Sequence, residues 1–250
     1  MHWLEENNFR FPYVEDALLD PNCLLTARLT ITPDLVLDAY SRGIFQWYSE
    51  DQPVLWWSPN PRCVLYPRDF HISRSLKQTL NRGQFEIRTD TAFREVMLSC
   101  AAPRINRNNS ENIEIEEPGL TGTRENAAEG ETNGTWITPA MVDVYCQLHE
   151  AGFAHSVECW HRGELAGGMY GLVFGDMFFG ESMFSRMQDA SKVAMHHICT
   201  KIQPFFVDAQ VRSEHLISLG AEEIERQLFT ETIRDRLHKK LCLNTKTGAV

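Results

Sequence analysis

The sequence predicts an α+β protein. A small N-terminal domain, residues 1–62, precedes a larger domain, residues 63–240, built on a mixed β-sheet. Three observations carry this reading. The first 62 residues are punctuated by prolines and aromatics, as in FRFPYVEDALLDPN and GIFQWYSEDQPVLWWSPNPR. Three strand-like runs then follow one another with turns so short that only antiparallel neighbours allow them. Beyond them helix and strand alternate, which extends the meander into a mixed sheet. At 250 residues the chain is long enough for two cores.

Taken in order, TPDLVLDAYSRG reads as a short helix. Thr32 caps it, Pro33 takes its first position and Gly43 ends it. Trp47, Trp56 and Trp57 are too many for so small a module to bury, so a wall against the rest of the chain or against a planar ligand is expected. HISRSLKQTLN is helical and QFEIR a strand. DTAFREVMLSCA has a cap at Asp90, then Phe93, Val96, Met97 and Cys100 at the spacing of one helix face. TPAMVDVYCQLHEAG repeats the design from Thr138 and Pro139 to Gly152. The meander is AHSVECW, a turn at Arg162-Gly163, ELAGGMYGLVF, a turn at Gly175-Asp176, and MFFGESMF. Asp189 then looks like a cap for the helix ASKVAMHHICTKI. The strand FFVDAQV, the helix SEHLISLG, a last strand EIERQLF and a terminal helix from about Thr230 complete the chain. The crossover helix puts FFVDAQV parallel to the third strand of the meander. This order resembles the acyl-CoA N-acyltransferase (GNAT) fold, an analogy that does not by itself give function.

Composition narrows the classes. The formal net charge is −10, and the stretch from Glu111 to Glu131, with seven glutamates and one arginine, holds −6 of it. That stretch belongs to an insertion at 104–134 with no apolar period, expected to be disordered. With the acid so concentrated, a basic face elsewhere stays open. Seven widely spaced cysteines without a CxxC point to reduced thiols in the cytoplasm rather than to disulfides or zinc. No signal peptide is seen, and no apolar run approaches a bilayer's span.

The chemistry centres on GESMFSRMQDASK. It places Glu181 between apolar neighbours near the end of a strand, and the neighbouring parallel strand carries Asp208 and Gln210, two apart and so on one face. These three gather at one end of the sheet, either as an active site or as satisfied polar residues at strand ends. Met169, Met183 and Met195, with Phe178, Ile198, Ile202 and Val207, form an adaptable apolar pocket or simply core. Ser182 is not in a GxSxG elbow, His196-His197 with Cys199 fits no zinc pattern, and GGMYG lies inside a hairpin rather than in a dinucleotide loop.

Several long motifs, GIFQWYSEDQPVLWWSPNPRCVL, HISRSL, GTWIT, AHSVECW, GGMYG, FGESMFSRMQDASK, VDAQ and HLISLGA, resemble those of leucyl/phenylalanyl-tRNA–protein transferases. They run in order over nearly the whole chain apart from the insertion and the extreme C-terminus. The resemblance implies an enzyme that takes leucine or phenylalanine, less readily methionine, from Leu-tRNA, Phe-tRNA or Met-tRNA. It attaches that residue to the N-terminal arginine or lysine of a protein, which the bacterial N-degron pathway then delivers to Clp protease. It also implies a GNAT-like second domain, a cytoplasmic monomer, no membrane partner, and no metal or other cofactor. By motif, Asp208 and Gln210 match the family's proposed catalytic pair and Glu181 its active-site glutamate. Trp47, Trp136 and Tyr145 match positions around the terminal adenosine and aminoacyl group, and the apolar set matches the cavity for the amino-acid side chain. Arg62, Arg74, Lys77 and Lys192 are candidates for contacts to tRNA phosphates.

Three motifs depart from the family pattern. A Gly-Gly-Asp turn before the first helix is replaced within LLTARLTITPDL, GIFPW reads GIFQW, and NASK reads DASK. The changes remove two flexible glycines and the rigid proline beside Trp47, and add a charge before Ala190. Two alternatives stand beside the family reading. One is an N-acyltransferase using acyl-CoA, which would want a Gly-rich loop where SRMQDASK lies. The other is a tRNA- or peptide-binding module with reduced activity, against which the intact Glu181, Asp208 and Gln210 argue.

Overall fold

The computed structural model describes residues 2–3, 10–102, 136–241, 243 and 248–249, and the acidic insertion expected at 104–134 falls outside them. The strands β1 (His2–Trp3), β2 (Leu24–Arg28), β3 (Phe45–Gln46) and β4 (Val54–Trp57) form a small sheet in the order β1–β2–β4–β3. Helix α1 (Pro33–Ser41) packs beside it. Thr32 Oγ1 accepts from the Leu35 amide at 3.4 Å and Pro33 begins the helix, as the sequence predicts. The face carrying Leu35, Val36, Ala39 and Tyr40 is buried.

The tryptophan wall is only partly realised. Trp56 is fully buried, with Phe11 edge-on at 5.0 Å, and is therefore core. Trp47 and Trp57 are half-buried, and Trp57 Nε1 donates to the Trp47 carbonyl at 2.7 Å.

The larger sheet contains β5 (Arg62–Leu65), β6 (Glu86–Thr89), β7 (Ala154–His161), β8 (Glu164–Phe174), β9 (Met177–Ser185), β10 (Val207–Gln210), β11 (Glu222–Ile224) and β12 (Gly248–Ala249). Their order is β11–β5–β10–β9–β8–β7–β6–β12. The meander is antiparallel from β6 through β9, and β10 runs parallel to β9, as the crossover rule requires. β5, not expected as a strand, lies antiparallel between β10 and β11. Its four residues follow a proline-rich loop and are buried without alternation, so period-2 patterning could not reveal it.

Helices α2 (Arg74–Arg82), α3 (Phe93–Ala101), α4 (Pro139–Glu150), α5 (Ala190–His197), α6 (Glu214–Ser218) and α7 (Arg226–Arg236) cover the sheet. A π-helical turn, Ile198–Ile202, extends α5. Three expectations need correction. Asp90 does not cap α3; its carboxylate takes the Ser156 amide and His155 Nδ1. The buried Glu158, reaching over from β7, accepts from the Thr91 and Ala92 amides at the start of α3 instead. Asp189 occupies the N-cap position of α5, but its side chain bonds Thr79 Oγ1 and Lys192 Nζ, while Ser185 Oγ accepts the Ser191 amide. EIERQLF is not one strand, because β11 stops at Ile224 and α7 begins at Arg226, placing Phe229 on the buried face of a helix.

Two apolar clusters lie on opposite faces of the sheet. One, beneath α5, contains Met169, Phe178, Met183, Met195, Ile198, Ile202 and Val207. The other joins α1, α3, α4 and α7 and contains Tyr40, Tyr145, Tyr170, Phe179 and Phe229. The glycines of GGMYG serve this layering. A Cβ at Gly167 would lie 2.5 Å from Ala190 Cβ, so glycine lets α5 settle onto β8. No helix among the described residues is long and apolar enough to cross a membrane.

Candidate active site

Glu181 owes its position to an irregularity in β9. Gly171 pairs with Gly180 and Tyr170 with Ser182, so Glu181 is the extra residue of a bulge. It turns towards the face of α1 and α4, where only 2% of it is exposed. There Tyr40 Oη donates to Glu181 Oε1. Tyr40 Oη lies 3.3 Å from Tyr145 Oη, and Gln46 Nε2 donates to Tyr145 Oη at 2.6 Å. Burial pushes the Glu181 carboxyl up to about 8. The hydroxyls of Tyr40 and Tyr145 hold it down against that, the nearby Asp208 adds to the rise, and Arg62 opposes it. Burial and the Glu181 charge raise both tyrosines well above the ordinary phenol value, so they act as neutral donors.

Asp208 is fully buried on β10 and is held by a fork. Arg62 Nε donates to Oδ1 at 2.8 Å and Arg62 Nη2 to Oδ2 at 2.6 Å. The guanidinium lies between the rings of Phe45 and Phe229, 5.0 and 4.6 Å from their centroids, and its Nη1 donates to the Gly43 carbonyl at 3.2 Å. Arg62 thus ties the small sheet, α7 and β10 together. It was expected among the tRNA-phosphate contacts, and at 1% exposure it cannot be one. Nothing local marks its burial, since its partner lies 146 residues away.

Gln210 sits where the parallel ladder breaks. β9 and β10 pair at Phe178–Val207 and Phe179–Asp208 only. In a continuing ladder the Gln210 amide would donate to the Gly180 carbonyl. Instead that amide turns to Asp208 Oδ1 at 3.0 Å, and the side-chain Nε2 donates to Gly180 O at 2.6 Å. Gln210 has φ 55, a left-handed conformation held by these two bonds. Its Oε1 is buried with no hydrogen-bond partner among the described residues. Beyond Gly180, then, the edge of β9 is free of β10, and Glu181 and Gln210 stand at the start of the gap.

The structure brings Glu181, Asp208, Gln210 and Tyr145 together. The apolar set Met169, Phe178, Met183, Met195, Ile198, Ile202 and Val207 is also gathered, but on the opposite face, and it approaches the carboxylates through Met183, two residues along the bulged strand. Trp47 and Trp136 are half-buried against the α1 and α4 face. Arg74 and Lys77 are exposed on α2, whereas Lys192 is paired with Asp189 at 3.3 Å. Tyr40, Gln46 and the true role of Arg62 were missed from sequence. Tyr40 carried a signal: a phenol on the apolar face of α1 needs a partner for its hydroxyl.

Comparison with known proteins decides the family. The model of the leucyl/phenylalanyl-tRNA protein transferase family matches residues 64–115 and 122–234, and that of its N-terminal domain matches residues 30–60. This chain belongs to that family. Proteins named leucyl/phenylalanyl-tRNA–protein transferase are 49% identical in Aromatoleum aromaticum, over 88% of this chain and 83% of that one. In Stutzerimonas stutzeri the identity is 42%, over 95% of both chains. In Nitrosospira multiformis it is 42%, over 93% and 90%. Within the leucyl/phenylalanyl-tRNA protein transferase family, the matched segments of this chain include Tyr40, Gln46, Tyr145, Glu181, Asp208 and Gln210, while Arg62 falls between them.

Proposed function

We propose that this chain is an aminoacyltransferase that moves leucine or phenylalanine, less readily methionine, from aminoacyl-tRNA to the N-terminal arginine or lysine of acceptor proteins, marking them for N-degron degradation. Its surroundings in this reading are the cytoplasm, it acts as a monomer, and it uses a GNAT-like arrangement of the larger sheet. The parallel β9–β10 pair that separates after two rungs supports that last point. The observation that carries the function is the gap itself. A buried carboxylate poised near 8 and an amide oxygen with no hydrogen-bond partner among the described residues stand together at its start, in a chain of the transferase family.

The reaction suits these groups. The aminoacyl ester is already activated, so no covalent enzyme intermediate is needed. The acceptor α-amine, with an ordinary pKa of about 7.7–8.0, attacks the ester carbonyl carbon; the C–N bond forms and the C–O bond to the ribose breaks. Glu181 is the group matched to take the amine proton, which finally rests on the departing ribose oxygen. Asp208 has both oxygens engaged by Arg62 and one also by the Gln210 amide, so its part is to fix Gln210 rather than to accept a proton. Gln210 Oε1 then orients an N–H of the acceptor amine. We assign the amino-acid side chain to the methionine-rich face next to Met183, whose unbranched thioethers adapt to leucine, phenylalanine or methionine. Trp47 and Trp136 are assigned to the terminal adenosine, and Arg74, Lys77 and Lys192 to tRNA phosphates.

The test is transfer of radiolabelled leucine from Leu-tRNA to two forms of one acceptor, beginning with arginine and with acetylated arginine. Label on the free amine alone is expected. Label on neither would refute the activity, and equal label on both would refute attack by the α-amine.

A further inference from the structure

Gln46 is buried at 1% exposure on β3, where the family motif resembled by GIFQW carries proline. A buried glutamine is costly unless its amide is used. Its Nε2 donates to Tyr145 Oη at 2.6 Å, while its Oε1 is buried with no hydrogen-bond partner among the described residues. The Tyr40 proton is committed to Glu181 Oε1, so the Tyr40 oxygen is free to accept from Tyr145. Tyr145 can spend its own proton on Tyr40 because its oxygen already receives one from Gln46. Every donor then points towards Glu181. With the amide oxygen turned to Tyr145 instead, the Tyr145 proton would go to Gln46 and the relay would be broken between the two tyrosines.

We propose that Gln46 is a positioning residue of the transfer site, whose side-chain amide fixes the order Gln46 to Tyr145 to Tyr40 to Glu181 and so favours the carboxylate form of Glu181. The proposal rests on the transfer reading above for its functional meaning, but its physical content is independent of it. Chains of hydrogen bonds in a dry interior strengthen one another, so the far donor is felt at the carboxylate. The other groups facing Glu181 are Tyr170 from β8, Asp208 from β10 and Arg62 from β5, and Cys100 of α3 lies beyond Tyr170. Among the described residues none of them hydrogen-bonds the Gln46 side chain, so replacing Gln46 acts on Glu181 through the tyrosines. Burial sets the Glu181 midpoint high, and the relay restrains the rise.

The experiment follows the infrared carboxyl band of the full chain through the neutral and alkaline range. Glu181→Gln identifies the band by removing it. Gln46→Met keeps the volume and deletes the donor; it is expected to raise the Glu181 midpoint by about half to one pH unit. Tyr145→Phe is expected to raise it similarly, and the double variant to add little to either. Should Gln46→Met not fold, Gln46→Leu also deletes the donor without adding a charge and is expected to shift the midpoint in the same direction. The acid limb of single-turnover leucine transfer should move with the band. An unmoved midpoint in the folded Gln46 variant, or fully additive shifts, would overturn the proposal. Failure of the wild type to transfer leucine would instead refute the activity and leave the band titration to decide the role of Gln46.

Discussion

Glu181 is the residue on which the site's electrostatics turn. Its carboxyl is raised to about 8 by burial, so the folded chain holds its proton more tightly than the unfolded chain, whose glutamate titrates at about 4.3. The sign follows from linkage. As pH rises from about 4.3 towards 8 the unfolded state sheds a proton that the folded state keeps, and stability falls across that window. Glu181→Gln removes the group, so thermal melting of this variant should decline less between the lower and upper ends of the window than that of wild type. A decline of equal size in both would show that Glu181 is not raised. Asp208 and Gln210 were legible as close neighbours in a buried strand, but the register shift between them against β5 breaks the alternation that put both on one face. Arg62 was not, because nothing local distinguishes a surface arginine from one clamped between Phe45 and Phe229 onto a distant aspartate.

Among the elements, helices announced by their own caps were read correctly. Thr32 and Thr138 cap α1 and α4, and Ser73 and Ser213 cap α2 and α6. Where the ends are served from elsewhere, as in α3 and α5, the helix was read but its cap was not. The first amides of α3 are satisfied by Glu158 of β7, which also accepts from Ser156 Oγ at 2.6 Å. A cap supplied from 66 residues away leaves no mark at the start of the helix. Glu158→Ala strands the buried Ser156 hydroxyl and removes the acceptor of the partly buried Thr91 and Ala92 amide bonds, and should cost about 1–3 kcal/mol in denaturant unfolding. The loss should be accompanied by faster amide exchange at Thr91 and Ala92; unchanged stability would mean that water replaces the carboxylate freely. The short β5 and the early start of α7 were hidden for a related reason. Both are fixed by partners across the sheet rather than by local pattern: β5 by β10 and β11, and Phe229 by Arg62.

At the scale of the whole molecule, the small sheet and the larger one meet at the site. Tyr40 comes from α1 beside the first and Gln46 from its strand β3, Glu181, Asp208 and Gln210 come from the second, and Tyr145 comes from α4. The mixed sheet and its parallel crossover could be read from the meander and the alternation after it. The separation of Met183 from Glu181 onto opposite faces could not, because a one-residue bulge at Glu181 reverses the alternation, whereas Val207 and Asp208 part by plain alternation. The net charge of −10 does not forbid a polyanion partner, since Arg74 and Lys77 are exposed on a helix that carries no acid. Replacing both with alanine should weaken binding of charged tRNA and reduce the salt slope of that binding by about two counterions. An unchanged slope would place the phosphates elsewhere.

The most direct measurement is the single-turnover rate of leucine transfer from Leu-tRNA to a protein beginning with arginine, in wild type and Glu181→Gln side by side. The expected result is transfer by wild type and a loss of about a hundredfold or more in the variant, with binding of charged tRNA retained. Equal rates in the two proteins would contradict the assignment of Glu181 as the proton acceptor at the β9–β10 gap.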